Sequence, residues 1–183
     1  MLDGSLMAKR RPLPEPQGWE YVKVSRSKLH GRGLFAAVDL PKGTYVMEYR
    51  GERIEKKESD KRTNKQWEKG RVYTFELSRR FDLDGSIKSN VARLANFSCD
   101  PNCESINEDS RKVWIVAVRD IKAGDEITYD YNFPLVEPPP LCHCGAAKCR
   151  GYIVGSDHVM DLDAWKELHP HLVKKDERKR SRR

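Results

Sequence analysis

A mainly β domain with few short helices is the fold class that the sequence predicts. Three observations carry it. Short runs of β-branched and aromatic residues recur along the chain, Gly and Pro turns separate them, and only residues 55–69 form a long stretch with the charged character of an exposed helix. The 183 residues suit one globular domain with extensions. With 38% hydrophobic and 34% charged residues the chain is polar, yet its apolar residues cluster enough to exclude wholesale disorder. No run approaches the roughly 18 to 20 apolar residues of a membrane-spanning helix, and the amino-terminal residues lack an apolar signal core. A soluble, intracellular protein is therefore expected.

Residues 1–18 hold Pro12, Pro14 and Pro16 among scattered charges, the composition of a flexible leader. Trp19, Tyr21, Val22 and Val24 start the fold as a strand, and Leu29-His30-Gly31-Arg32-Gly33-Leu34-Phe35 turns the chain on two glycines into the next. Pro41-Lys42-Gly43 is a turn before a strand of Tyr45, Val46, Met47, Glu48 and Tyr49, which Arg50-Gly51 interrupts. The helix expected over residues 55–69 has Trp67 as its apolar anchor. Tyr73, Phe75 and Leu77 then alternate with Thr74, Glu76 and Ser78, the period of a half-buried strand, and residues 82–90 read as loop. Residues 103–107 and 112–118 flank the polar turn Glu108-Asp109-Ser110-Arg111 as a hairpin, and Gly124-Asp125 turns into a short strand ending at Tyr131. After the spacer Pro138-Pro139-Pro140, residues 161–168 can form a short helix capped by Asp161 and stopped by Pro170.

The formal charge of +7 sits at the ends. Lys9, Arg10 and Arg11 oppose Asp3 at the start, and seven Lys and Arg oppose Asp176 and Glu177 over residues 171–183, which leaves the stretch between formally neutral. A broad cationic face wrapped around DNA is not supported. A flexible basic tail that touches phosphates or an acidic partner is allowed, as is a tail that only aids solubility.

Five cysteines, an odd number without a secretion signal, argue against a disulfide framework, and the tight grouping of Cys142, Cys144 and Cys149 argues for metal. Three thiolates from one turn need a fourth from elsewhere to hold zinc tetrahedrally, and either Cys99 or Cys103 can supply it. His143, between two of them, would most easily point away. A four-thiolate site leaves no open position, so the zinc would be structural. Gly31 and Gly33 let the backbone approach a ligand, with His30 and Arg32 available to a carboxylate, although the pair alone equally suits an ordinary turn. Asn96-Phe97-Ser98-Cys99-Asp100-Pro101-Asn102 and Gly124-Asp125-Glu126-Ile127-Thr128-Tyr129-Asp130-Tyr131 complete the set; taken singly, the two tyrosines could simply be sheet packing.

In their order these motifs resemble the SET-domain protein lysine methyltransferases that use S-adenosylmethionine. The resemblance runs from about Tyr21 to Gly155 and includes the residue 30–36 turn, Glu48-Tyr49-Arg50-Gly51-Glu52, residues 93–102, residues 124–131 and the cysteine-rich segment called post-SET. Tyr129-Asp130-Tyr131-Asn132-Phe133-Pro134 and Cys142-His143-Cys144-Gly145 look most like the trithorax-type branch. It implies a β-clip fold of small curved sheets, in which a late segment threads under an earlier loop as a pseudoknot. Residues 19–134 would be the SET domain, 135–155 the zinc-binding post-SET segment, and 156–183 a C-terminal helix and basic tail. Cofactor contacts fall by resemblance on His30, Gly31, Arg32, Gly33, Tyr73, Asn96, Phe97 and His143, and zinc ligands on Cys99, Cys142, Cys144 and Cys149, with Cys103 spare.

Tyr131 matches the catalytic tyrosine, whose role is positioning and electrostatics around an in-line methyl transfer to a neutral lysine amine. A free lysine has a pKa of about 10.4, so deprotonation must be favoured by desolvation and by the sulfonium. Tyr129 matches the position that limits methyl count, and its hydroxyl implies mono- or dimethylation. Phe97 stands where the family usually has histidine, which removes any imidazole hydrogen bond. With no cysteine-rich segment ahead of the domain and no reader module, targeting would fall to the domain, its tails or a partner. The implied substrate is a histone or another basic chromatin- or nucleoid-associated protein, in a nucleus if eukaryotic and in the cytoplasm or nucleoid if prokaryotic. The alternative is a catalytically weak SET-like module that binds chromatin or nucleic acid.

Overall fold

The computed structural model describes residues 11–180; residues 1–10 of the expected leader and 181–183 of the basic tail lie outside the described residues. Within the rest of that leader Leu13 packs against the main core, its backbone N–H donates to Thr44 Oγ1 at 3.1 Å, and the Tyr21 hydroxyl donates to the Pro14 carbonyl at 3.0 Å.

The strands are β1 Val22–Arg26, β2 Arg32–Ala36, β3 Tyr45–Tyr49, β4 Glu52–Glu55, β5 Thr74–Glu76, β6 Phe81–Asp84, β7 Asn96–Phe97, β8 Cys103–Glu108, β9 Lys112–Ala117 and β10 Glu126–Tyr129. The helices are α1 Lys56–Glu68, α2 Val159–Leu168 and α3 Pro170–Arg180. One sheet runs β1-β2-β10-β8-β9-β3, with β7 also on β10, and a smaller one runs β4-β6-β5. Mainly β was the expectation, and it holds.

The late strand β10 is the hub. It pairs antiparallel with β2 and parallel with β7 and β8, aligning Tyr129 with both Phe97 and Cys103. Asn102 fastens this crossing, since its Nδ2 donates to the Glu126 carbonyl at 2.8 Å and its Oδ1 accepts from the Thr128 N–H at 2.9 Å. The segments of residues 96–102 and 130–131 meet through the rings of Phe97 and Tyr131, 5.4 Å apart.

Two strands depart from the expectation. β6 replaces the start of the expected loop: its Phe-Asp-Leu-Asp sequence buries Asp82 and Asp84 together with Leu83, without the apolar–polar alternation of a half-buried strand. The cations that tolerate this come from α1: Lys56 Nζ lies 2.7 Å from Asp82 Oδ1, and Arg62 Nη1 lies 3.0 Å from Asp84 Oδ2. β4, its partner, follows Gly51 directly.

The C-terminal region differs too. Asp161 lies inside α2 rather than at its cap, and Pro170, expected only as a stop, opens α3, where a missing N–H costs nothing. The described part of the expected flexible basic tail is therefore helical. Leu172 and Val173 explain it, for they join Tyr152, Val154, Leu162 and Trp165 in a second apolar cluster, and the Tyr152 hydroxyl donates to Asp176 at 3.3 Å. Two apolar residues among many charges left little local signal.

Candidate functional site

The turn between β1 and β2 places the first site residues. Gly31 has φ +51°, a conformation that costs an L side chain strain, and a Cβ on Gly33 would collide with the Glu126 carboxylate and lie 3.1 Å from Asn96 Nδ2. His30, Gly31 and Arg32 line a cavity of about 480 Å³ together with Tyr73, Asn96 and Phe97. Tyr129, Tyr131 and His143 also reach it, whereas Gly33 does not and acts behind the wall by admitting Glu126.

Asn96 is locked. Its Nδ2 donates to the His30 carbonyl at 3.3 Å, the Arg32 carbonyl at 3.2 Å and Glu126 Oε1 at 2.7 Å, so its amide oxygen is the group left to accept from a ligand. Glu126 is in turn held by the Ser27 hydroxyl, which donates to both carboxylate oxygens at 2.7 and 2.9 Å. Sequence reasoning quoted Glu126 but assigned it nothing. A carboxylate beside two tyrosines in a strand motif was the available signal.

Aromatic rings build one side of the cavity. Tyr131 lies 4.9 Å from Tyr129, 5.4 Å edge-on to Phe97 and 5.2 Å from Phe133, which in turn meets Trp67 of α1 at 5.0 Å. The Tyr131 hydroxyl donates to the Ala95 carbonyl at 3.0 Å. Burial, and then the neighbouring Tyr73, raise the Tyr131 pKa well above the phenol value; burial does the same for Tyr129, followed by Tyr49 and Tyr131. Both stay neutral phenols at any working pH. Trp67, Phe133 and Arg93 also line the cavity and were missed as site residues. Arg93 has its guanidinium over the Tyr73 ring at 5.5 Å, and its buried Nε has no hydrogen-bond partner among the described residues.

The post-SET side supplies the remaining wall through Leu141, Cys142, His143 and Cys144. The sulfurs of Cys99, Cys142, Cys144 and Cys149 all lie within 4.8 Å of one another, and those of Cys99 and Cys142 are 3.7 Å apart. Four thiolates at about 2.3 Å from a tetrahedral zinc would have sulfurs about 3.8 Å apart, so the donor set fits that ion. Backbone N–H groups already point at these sulfurs, Arg150 to Cys99 at 3.4 Å and Cys144 to Cys142 at 3.4 Å, an environment suited to thiolates. The Cys103 thiol, fully buried in β8, is pushed up to about 12, chiefly by that burial. Position thus favours Cys99, the residue that the resemblance implies, over Cys103 as the fourth donor. On removal of bound zinc with a chelator, the four clustered thiols should react with a disulfide reagent while Cys103 waits for denaturation. Rapid labelling of all five in the folded chain would contradict this.

The family model described as SET domain matches residues 31–132. Among curated relatives, histone-lysine N-methyltransferase trithorax of Drosophila virilis is 39% identical over 138 residues, 73% of this chain and 4% of its own length. The Schizosaccharomyces pombe histone-lysine N-methyltransferase, H3 lysine-4 specific, is 40% identical over 132 residues, 69% of this chain and 14% of its own. Human histone-lysine N-methyltransferase 2B is 39% identical over 140 residues, 73% of this chain and 5% of its own. The chain thus spans only a small part of the length of these relatives. Among the described residues, no helix is long and apolar enough to cross a membrane.

Proposed function

The chain belongs to the SET domain family, and we propose that it is an S-adenosylmethionine-dependent protein-lysine N-methyltransferase acting on a histone. The observation that carries the reading is the gathering of His30, Arg32, Tyr73 and Asn96 around one cavity that the Tyr129–Tyr131 pair also lines. S-adenosylmethionine, when bound, supplies an electrophilic methyl on a sulfonium. The Asn96 amide oxygen would be available to its ammonium, His30 and Arg32 to its carboxylate, and Phe97 to its adenine end. Cys99, Cys142, Cys144 and Cys149 would hold a structural zinc that ties down the wall of residues 141–144, and four thiolates would leave it no position for chemistry. Tyr131, whose burial favours the protonated phenol, orients the reacting groups.

Relatives named as histone-lysine N-methyltransferases support chromatin, and hence the nucleus, as the place of action. The test is methyl transfer from labelled cofactor to histones, read by mass spectrometry, with bacterial nucleoid proteins as the comparison panel. Tyr129, buried between Phe75 and Tyr131, limits the product to mono- or dimethyl-lysine. Tyr129→Phe should remove a hydroxyl from the channel and let one more methyl be added; trimethyl-lysine as the main wild-type product would overturn the assignment.

α3 supports a contact with nucleic-acid phosphates through exposed Lys174 and Lys175. Deleting it would also unseat Leu172 and Val173, so the test is the double replacement of Lys174 and Lys175 by Glu. Salt-sensitive DNA binding should weaken while the melting temperature stays level. Unchanged binding would remove this contact from the reading.

A further inference from the structure

Arg150 sits at a junction that neither the cavity nor the cysteine cluster explains alone. Its side chain is only 13% exposed, and Nη2 lies 2.7 Å from Asp130 Oδ2. Its guanidinium carbon lies 5.5 Å from the centre of the Phe97 ring, and its backbone N–H donates to Cys99 Sγ at 3.4 Å. Asp130 stands between Tyr129 and Tyr131, with Oδ2 also accepting from the Ser156 N–H at 3.1 Å and Oδ1 from the Asn132 N–H at 2.9 Å. Phe97 meets the Tyr131 ring edge-on and pairs through its backbone with Tyr129. One residue therefore touches the metal-site loop, the carboxylate between the tyrosines, and the ring against which Tyr131 rests.

We infer that Arg150 is a positioning residue that transmits the closed state of the cysteine cluster to Phe97 and Tyr131, so that cofactor binding depends on its planar guanidinium and not only on its charge. The inference rests on the proposed cofactor reading. It acts through Phe97 because Arg150 itself does not line the cavity. A guanidinium can face an aromatic ring and hold a carboxylate with its edge, whereas a lysine ammonium at the same place keeps the ion pair and loses the planar contact. A purely structural clasp between Asp130 and the post-SET loop would need only the charge.

The experiment uses the zinc-loaded chain and three variants, Arg150→Lys, Phe97→Leu and the double variant. Each is measured for zinc content, melting temperature and affinity for S-adenosylmethionine by calorimetry. Arg150→Lys should retain zinc and melt close to wild type, yet bind the cofactor about 3-fold to 30-fold more weakly, the range of a partly desolvated cation–π contact. Phe97→Leu should also weaken binding, and the double variant should be no weaker than the poorer single one, because the two residues act as a unit. Unchanged affinity in Arg150→Lys, losses that multiply in the double variant, or a loss that tracks missing zinc would each overturn the inference. If wild type itself fails to bind the cofactor, the proposed function falls and the inference with it; wild-type binding with unaffected variants removes the inference alone.

Discussion

Tyr131→Phe should lower kcat by about 100-fold to 1000-fold while leaving affinity for S-adenosylmethionine nearly unchanged. The magnitude is that of removing one preorganised hydrogen-bonding group from a water-poor site. The hydroxyl is fixed by the Ala95 carbonyl, and the ring is held by Tyr129, Phe97 and Phe133, so the phenylalanine ring should keep its place. Loss of the partner to Ala95 should cost about 1 to 3 kcal/mol of stability. Single-turnover kinetics with calorimetric cofactor binding separates the two effects, and an equal fall in both kcat and affinity would mean that the ring has moved. Because burial keeps the phenol protonated beyond its ordinary value of about 10, ionisation of Tyr131 does not shape the profile from pH 7 to 10. The rate in that window should rise with pH as the substrate ammonium loses its proton, in Tyr131→Phe as in wild type. An ascending limb present only in wild type would make Tyr131 the base.

Cys99→Ser should abolish stoichiometric zinc binding and, with it, measurable cofactor binding. Cys99 is the only cluster cysteine supplied by the loop that clasps β10; the other three come from residues 142–149. Structural zinc contributes about 10 to 16 kcal/mol of apparent binding free energy in small sites, so its loss far exceeds that of any single contact here. The wall carrying Leu141, Cys142, His143 and Cys144 would then depend on Asp130–Arg150, on the Ser156 N–H to Asp130 and Gly155 N–H to Phe133 carbonyl bonds, and on the second apolar cluster. The main sheet does not depend on the cluster, and far-ultraviolet circular dichroism should remain that of a mainly β protein. Cys103→Ala is the control, expected to keep full zinc. Normal zinc content in Cys99→Ser, or its loss in Cys103→Ala, would reverse the ligand assignment.

The strands whose apolar residues face the core followed from local spacing. β2, β3 and β9 carry Leu34, Val46 and Ile115 inward among β-branched and aromatic neighbours, and α1 falls within one residue of the expected helix. β6 did not follow, because it buries Asp82 and Asp84 as well as Leu83, and the partners of those acids, Lys56 and Arg62, lie 26 and 22 positions earlier in the chain. α3 was hidden in the same way, since Leu172 and Val173 acquire meaning only against Trp165 and Tyr152.

The sequence by itself determined the mainly β character, the order of the motifs around Gly31, Asn96 and Tyr131, and the three-cysteine turn of residues 142–149, all properties of near neighbours in the chain. Tertiary structure alone decided that Glu126 locks Asn96 and that Gly33 serves Glu126 instead of lining the cavity; it also brings Cys99, the residue that the resemblance implies, to the other three and buries Cys103 in β8. Each of those decisions is a contact between segments 30 or more residues apart, or a burial set by a neighbouring strand. Side-chain spacing along the chain carries no record of such distances; the parallel seating of β10 beside β7 and β8 creates them.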